Sequence, residues 1–226
     1  MTDVDVLDRE MYSEAEAARI LNLSQSTLHY WLEGGERRKK LYQPVIRERA
    51  RGSRRVTWAE FIEAGLLREY RKVHGVPMDA LRRFIVQLRH DFDVPYPLAH
   101  YRPYVSGRGL IYEAQESIGL DADYCLVAFA SNQLILTPAA DSFVKRVDWA
   151  DDIAVGWRPH ADPASEVRMI PDVRFGQPAV GGISTEILWE QYEADETEDE
   201  LVRTFGLTPA QVRWALAYEG ARQPAA

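Results

Sequence analysis

The stretch Met11–Leu32, MYSEAEAARILNLSQSTLHYWL, decides how the first part of this chain folds. Ala15, Ala18 and Leu21 share one face of a helix over about 14–21, opened by the capping pair Ser13/Glu16. Asn22-Leu23 makes a short turn. Ser24 then caps a second helix over about 25–33, which Gly34-Gly35 ends. Leu28, Trp31 and Leu32 supply that helix's buried face. Two helices joined this tightly pack across each other as a helix-turn-helix. The opposite face of the second helix carries Gln25, Ser26, His29 and Tyr30, which are able to hydrogen-bond base edges or phosphates in a major groove. Ser24 and Ser26 are small enough to let the helix's first N–H groups approach a phosphate.

Immediately downstream, residues 37–55 hold nine basic side chains (Arg37, Arg38, Lys39, Lys40, Arg47, Arg49, Arg51, Arg54 and Arg55) against Glu48 alone. Contact with phosphates explains the run as a whole, although a solvated side chain is as good a reading of any one of its members. The formal net charge of −8 conceals this segregation. Residues 1–93 carry 17 basic and 15 acidic residues, a balance of +2, and residues 94–226 carry 10 and 20, a balance of −10. Two parts of opposite sign suggest two kinds of partner.

Further capping pairs, Thr57/Glu60, Thr197/Glu200 and Thr208/Gln211, predict helices at about 58–73, 198–205 and 209–219. Pro77 opens another, with Leu81, Phe84, Ile85 and Leu88 as its apolar stripe. From Val94 to about Arg168 the texture is β-prone. Strands are expected at Gly109–Tyr112, Cys125–Phe129, Gln133–Thr137, Phe143–Val147 and Ile153–Trp157. Pro95-Tyr96-Pro97 reads as a boundary and Pro159–Pro163 as a second break. The expectation is an α+β protein in three parts: a DNA-binding winged helix-turn-helix (1–93), a small β-rich middle domain (94–165) and a small helical domain (166–226).

Tyr12-Ser13, Ala17-Ala18, Leu21, Leu23-Ser24, Thr27-Leu28 and Tyr30-Trp31 resemble the opening of MerR-type regulators, in which a basic wing and a helix pair follow. Here Arg37–Val56 stands as the wing, longer and more basic than that family's usual hairpin, and the likeness covers about 80 residues. The resemblance implies DNA contact from Ser24 to Tyr30, Thr27 included. The family's long C-terminal dimerisation helix is missing.

Val167–Ala221 resembles a small family of helical domains known as antitoxin partners of PIN-type toxins in VapB/VapC-like modules. The matching residues include Ile170-Pro171, Gly176-Gln177-Pro178-Ala179-Val180, Leu207-Thr208, Ala215-Leu216 and Tyr218-Glu219. Where that family has Gly-Thr-Arg, this chain has Gly182-Ile183-Ser184. The resemblance implies an extended segment and a Gly-rich turn leading into three helices, and a PIN-type toxin as protein partner. Trp189, Tyr192, Trp214 and Tyr218 are the candidate partner contacts, with core packing the simpler role for each. The acidic run from Glu190 to Glu200 is a solvated helix end or a means of steering toward a basic partner.

The five histidines show no His-x-x-x-His spacing, and Cys125 is the only cysteine. No metal site, cofactor or catalysis is therefore expected. His90, Asp91 and Asp93 read as a solvated helix end. The first residues do not read as a signal peptide and no apolar run reaches spanning length, so a cytoplasmic protein is expected. Taken together, the two resemblances imply an antitoxin that binds a PIN-type toxin and its own operator duplex, as a homodimer or larger toxin–antitoxin assembly. The competing expectation is a MerR-like regulator that senses a small ligand.

Overall fold

The structure is a computed structural model that describes residues 5–37, 39–73, 77–120, 125–130 and 133–223. The chain divides into two compact units, Met1–Lys145 with Trp149–Ala154, and Arg146–Asp148 with Val155–Ala226.

In the first unit, β1 (Glu10–Ser13) leads directly into α1 (Glu14–Ile20), and α2 (Gln25–Glu33) follows a four-residue turn. Ser13 and Glu16 cap each other's backbone, with Glu16 N–H donating to Ser13 Oγ at 3.2 Å. Asn22 takes a left-handed conformation (φ 49°) to make the turn. β2 (Gly35–Arg37) and β3 (Lys40–Tyr42) form an antiparallel hairpin in the register Gly35↔Tyr42. Gly34 has to be glycine here: its φ is +72°, and a Cβ would lie 2.3 Å from the Tyr42 carbonyl oxygen. After a loop, β4 (Arg55–Thr57) returns to pair antiparallel with β1.

The Thr57/Glu60 capping pair starts α3 (Trp58–Val73), and Pro77 caps α4 (Met78–Phe92). In the core Trp58 stacks on Phe61, and Tyr12 tilts against Phe61 with ring centroids 4.7 Å apart. The expected stripe of α4, Leu81, Phe84, Ile85 and Leu88, is buried throughout. The Pro95-Tyr96-Pro97 stretch packs onto α3, where the Tyr96 hydroxyl donates to Glu60 at 3.2 Å and Leu98 N–H donates to Glu63 at 3.1 Å.

Beyond it the β-rich expectation is corrected, because the segment is mixed. α5 (Arg102–Val105), α6 (Arg108–Ser117) and α7 (Pro138–Val144) alternate with the hairpin of β5 (Val127–Ala130) and β6 (Gln133–Leu136). Gly109–Tyr112, expected as a strand, lies in α6, where Ile111, Ala114 and Gln115 form the buried face at helical spacing. The Gln115 amide substitutes for a ladder partner, accepting from Leu126 N–H at 2.7 Å and donating to the Val127 carbonyl at 2.8 Å. Most of Phe143–Val147 is likewise not strand, because Pro138 at the first helical position starts α7 and carries Phe143 into it.

β7 (Val147–Ala150) and β8 (Ile153–Trp157) pair across the left-handed Asp151-Asp152 turn, and the unit boundary falls within this hairpin. In the second unit, Trp157 and Met169 exchange backbone hydrogen bonds at 2.8 Å. Arg168 pairs in the same way with Ala179, at 2.9 Å. β9 (Ala179–Val180) and β10 (Ile183–Ser184) flank Gly181-Gly182, both at positive φ. Three helices follow: α8 (Thr185–Glu193), α9 (Glu198–Phe205) and α10 (Pro209–Gly220). Val180, Leu188, Leu201, Val212 and Ala215 are their shared core. The Thr185 hydroxyl donates to the buried Glu219 carboxylate, tying α8 to α10. Gly206, at φ 65°, allows the tight α9–α10 turn before the Thr208/Gln211 cap.

Candidate nucleic-acid and partner interfaces

The exposed start of α2 is built by Ser24. Its Oγ accepts from Thr27 N–H at 3.2 Å and lies 2.7 Å from Thr27 Oγ1 and 3.2 Å from Ser26 Oγ. Gln25 and Ser26 are left facing solvent, with Thr27 half-buried beside them. His29 is partly exposed and engages the buried Glu14 carboxylate through Nδ1 at 2.9 Å. Tyr30 departs from the expectation. It is buried, its hydroxyl accepting from Arg82 of α4 at 3.3 Å and its ring 6.3 Å from that of Tyr42. It follows Leu28 by two residues and precedes Trp31, so it sits at the edge of the packed face rather than opposite it.

The basic run divides into members that are free to reach outward and members that are consumed. Arg38 and the side chain of Arg37 lie outside the described residues. Lys39, at φ 62°, is exposed on the hairpin turn. Lys40 is exposed too, with Nζ 5.3 Å from the Tyr42 ring centroid. Arg49 is also exposed.

Arg47 does not belong to this surface. It is 1% exposed, and its guanidinium donates to Glu60 at 2.7 Å and 3.0 Å, to Glu33, and to the backbone carbonyls of Ser53 and Arg55. Burial pulls its pKa down, but bonds and charge from Glu60 and then Glu33 outweigh this and hold it above the ordinary arginine value. Its role is to pin the 43–54 loop to α2 and α3, so it cannot touch DNA.

Three more arginines are partly spent on carboxylates. Arg51 lies 3.3 Å from Glu60 and donates to the Tyr96 hydroxyl at 2.8 Å. Arg54 pairs with Glu14 at 2.8 Å while remaining largely exposed, and Arg55 is 3.7 Å from Glu10. The counterions come from α1, α2, α3 and β1, so no local count of charge reveals them.

Arg82 was missed by sequence reasoning. It donates to the Gln43 carbonyl at 3.0 Å and lies 5.3 Å from the Tyr42 ring centroid, joining α4 to the hairpin and α2. Beside it runs a groove of about 800 Å³, lined by Pro44, Arg49, Arg82, Arg83 and Val86 among others. An Arg in a helix that reads as amphipathic carries no signal that distinguishes this task from a solvated one.

In the second unit, Trp189 and Trp214 are half-buried against the helical core, Trp214 with His160 at 5.3 Å. Tyr218 is buried beneath Arg222. Among the four candidate contacts, Tyr192 alone is exposed, at 43%. The acidic run is exposed apart from a half-buried Glu196. Glu200, fully exposed, has its pKa lowered by the N–H and hydroxyl of Thr197 that it accepts from. Among the described residues no group of three or more His, Cys, Asp or Glu side chains converges as a metal site, and no helix is long and apolar enough to cross a membrane.

Fold and surface together define an α+β protein whose two units each carry a pair of helices joined by a tight turn. The chain is 32% identical over 234 residues to the uncharacterised protein Rv2308 of Mycobacterium tuberculosis (strain ATCC 25618 / H37Rv), covering 96% of this chain and 93% of that protein, and it belongs to that protein's family. It is also 27% identical over 225 residues to a protein of the same strain named "Putative antitoxin VapB45", covering 92% of this chain and 93% of that one. The crystal structure of Rv2018 from Mycobacterium tuberculosis is similar with a TM-score of 0.74 and 25% identity, covering 93% of this chain and 99% of that chain. No protein-family model matches the chain.

Proposed function

We propose that this chain is the antitoxin of a type II toxin–antitoxin pair, which neutralises a PIN-type ribonuclease toxin and binds operator duplex DNA to repress its own transcription. The observation that carries the reading is the similarity to "Putative antitoxin VapB45", because it runs over 92% of the chain and so spans both units. Residues 1–93 then act as a MerR-like winged helix-turn-helix. Gln25, Ser26 and His29 face the bases, with Ser24 and Thr27 at the helix N-terminus; Lys39, Lys40 and Arg49 meet phosphates, with Arg51, Arg54 and Arg55 at the margin. Residues 166–226 hold the toxin. The chain performs no catalysis of its own and works in the cytoplasm as a homodimer or within a larger toxin–antitoxin assembly.

The test pairs two measurements on the full chain. It should shift a duplex taken from its own promoter in a mobility assay. It should also co-purify with the product of the adjacent reading frame when the two are expressed together. A chain that shifts the duplex but leaves that product behind is a regulator without a toxin.

That second reading, a ligand-responsive regulator, is favoured by one feature. The groove lined by Arg49, Arg82 and Val86 has the volume of a small-molecule site, and Arg82 also holds Tyr30 of α2 and Gln43 of the loop. An anionic ligand there would act on the residue that sets the hairpin against α2.

A further inference from the structure

Arg174, Phe175 and Gly176 form one turn of left-handed helix, with φ values of 50°, 53° and 73°. Two backbone bonds close the turn, Gly176 N–H to the Val173 carbonyl at 3.0 Å and Gln177 N–H to the Arg174 carbonyl at 3.1 Å. Left-handed backbone is disfavoured for L-residues, since Cβ crowds the following carbonyl oxygen, and here two of three consecutive positions are not glycine. The Arg174 guanidinium braces the turn from outside by donating through Nε to the Gly182 carbonyl at 2.9 Å.

Strain of this kind is ordinarily offset by packing, yet the Phe175 ring buries almost nothing. At 83% exposure it is the most exposed large hydrophobic side chain among the described residues. The chain thus holds a disfavoured conformation and leaves an aromatic ring in water, with no return inside the unit. A strained, braced and exposed aromatic is a mark of recognition.

We propose that Phe175 is the anchor by which the second unit seats on its protein partner, the ring filling an apolar pocket on a basic face of that partner. The sign follows from charge. Residues 166–226 carry eleven acidic and five basic residues, and the run from Glu190 to Glu200 is almost wholly exposed. A second copy of this unit, or a nucleic acid, would bring like charge against it; a basic protein would not. The inference rests on the antitoxin reading and names the residue through which the toxin is held. Arg174 is a positioning residue. The half-buried Trp189 and Trp214 and the buried Tyr218 then serve the core beneath the contact.

The probe is the purified product of the adjacent reading frame, titrated calorimetrically into the full chain. Phe175→Ala should weaken binding by about 30-fold or more, the loss expected of a hot-spot aromatic. Ile187→Ala, which removes another exposed apolar side chain, should stay within about threefold of wild type. Phe175→Ala should not lower the melting temperature, and Phe175→Gly should raise it, because glycine accepts the left-handed backbone.

Wild-type-like affinity in Phe175→Ala overturns the proposal. So does a self-associated chain that falls to monomer on this substitution alone, which would assign the ring to a second copy. A wild-type chain that does not bind the probe defeats the antitoxin reading itself, before any substitution is made.

Discussion

Arg47 is the most consequential side chain of the basic run and the one least able to touch DNA. Its guanidinium satisfies Glu33, Glu60 and two carbonyls at once, so Arg47→Met would leave Glu33 without its arginine and the buried Glu60 with only the half-exposed Arg51 beside it. Breaking a buried pair from one side costs about 3–5 kcal/mol, and the urea midpoint of Arg47→Met should fall accordingly. A midpoint equal to that of Arg49→Met, where the side chain is exposed, would show that the hub does not hold the fold.

Glu63 offers a second test at this scale. Complete burial raises its pKa to about 7, against a smaller lowering by Arg89 and by the Leu98 N–H, with the charge of Glu60 adding to the rise. Its folded pKa lies above its unfolded one. The contribution is therefore fully present below about pH 4.5 and is lost as pH rises through about 7. Wild type should lose roughly 3 kcal/mol relative to Glu63→Gln across that window. A stability difference between the two that does not change with pH would contradict the assignment. Sequence reading could see that this region is rich in charge. It could not see which arginines are consumed, because Glu14, Glu33 and Glu60 meet them only through folding.

At the scale of elements, capping chemistry was the most legible signal. Ser13/Glu16, Thr57/Glu60, Thr197/Glu200 and Thr208/Gln211 each close the expected box, because those contacts span only three residues. The strand expectation at Gly109–Tyr112 failed for the complementary reason. A short apolar run has no period of its own, and α6 is decided by what Ile111, Ala114 and Gln115 pack against.

The hairpin of β2 and β3 carries the element-scale prediction. Lys39 and Lys40 at its tip, with Arg49 on the loop, are exposed, whereas the equally exposed Arg51, Arg54 and Arg55 are each held at a carboxylate. Replacing all three with Gln should flatten the salt dependence of duplex binding, by about 0.9 in log–log slope for each phosphate no longer neutralised. Mobility shifts at several salt concentrations measure this, and an unchanged slope would remove the hairpin from the interface.

For the whole molecule, the charge division foreseen in the sequence at residue 93 lies inside the first unit, so the two divisions do not coincide; the second unit is acidic by itself, with thirteen acidic and seven basic residues. The acidic balance of −10 lies beyond residue 93, while the exposed basic side chains of the hairpin lie before it. The anchor on the second unit was not legible, because Phe175 follows no periodicity and a left-handed turn of Arg-Phe-Gly has no signature comparable to a capping box. The antitoxin reading is tested most directly by titrating the full chain against RNA cleavage by the purified product of the adjacent reading frame. The account predicts that cleavage falls to background once the chain reaches stoichiometric amounts. Cleavage that persists at a large excess of folded chain, or an adjacent product with no ribonuclease activity, would contradict it.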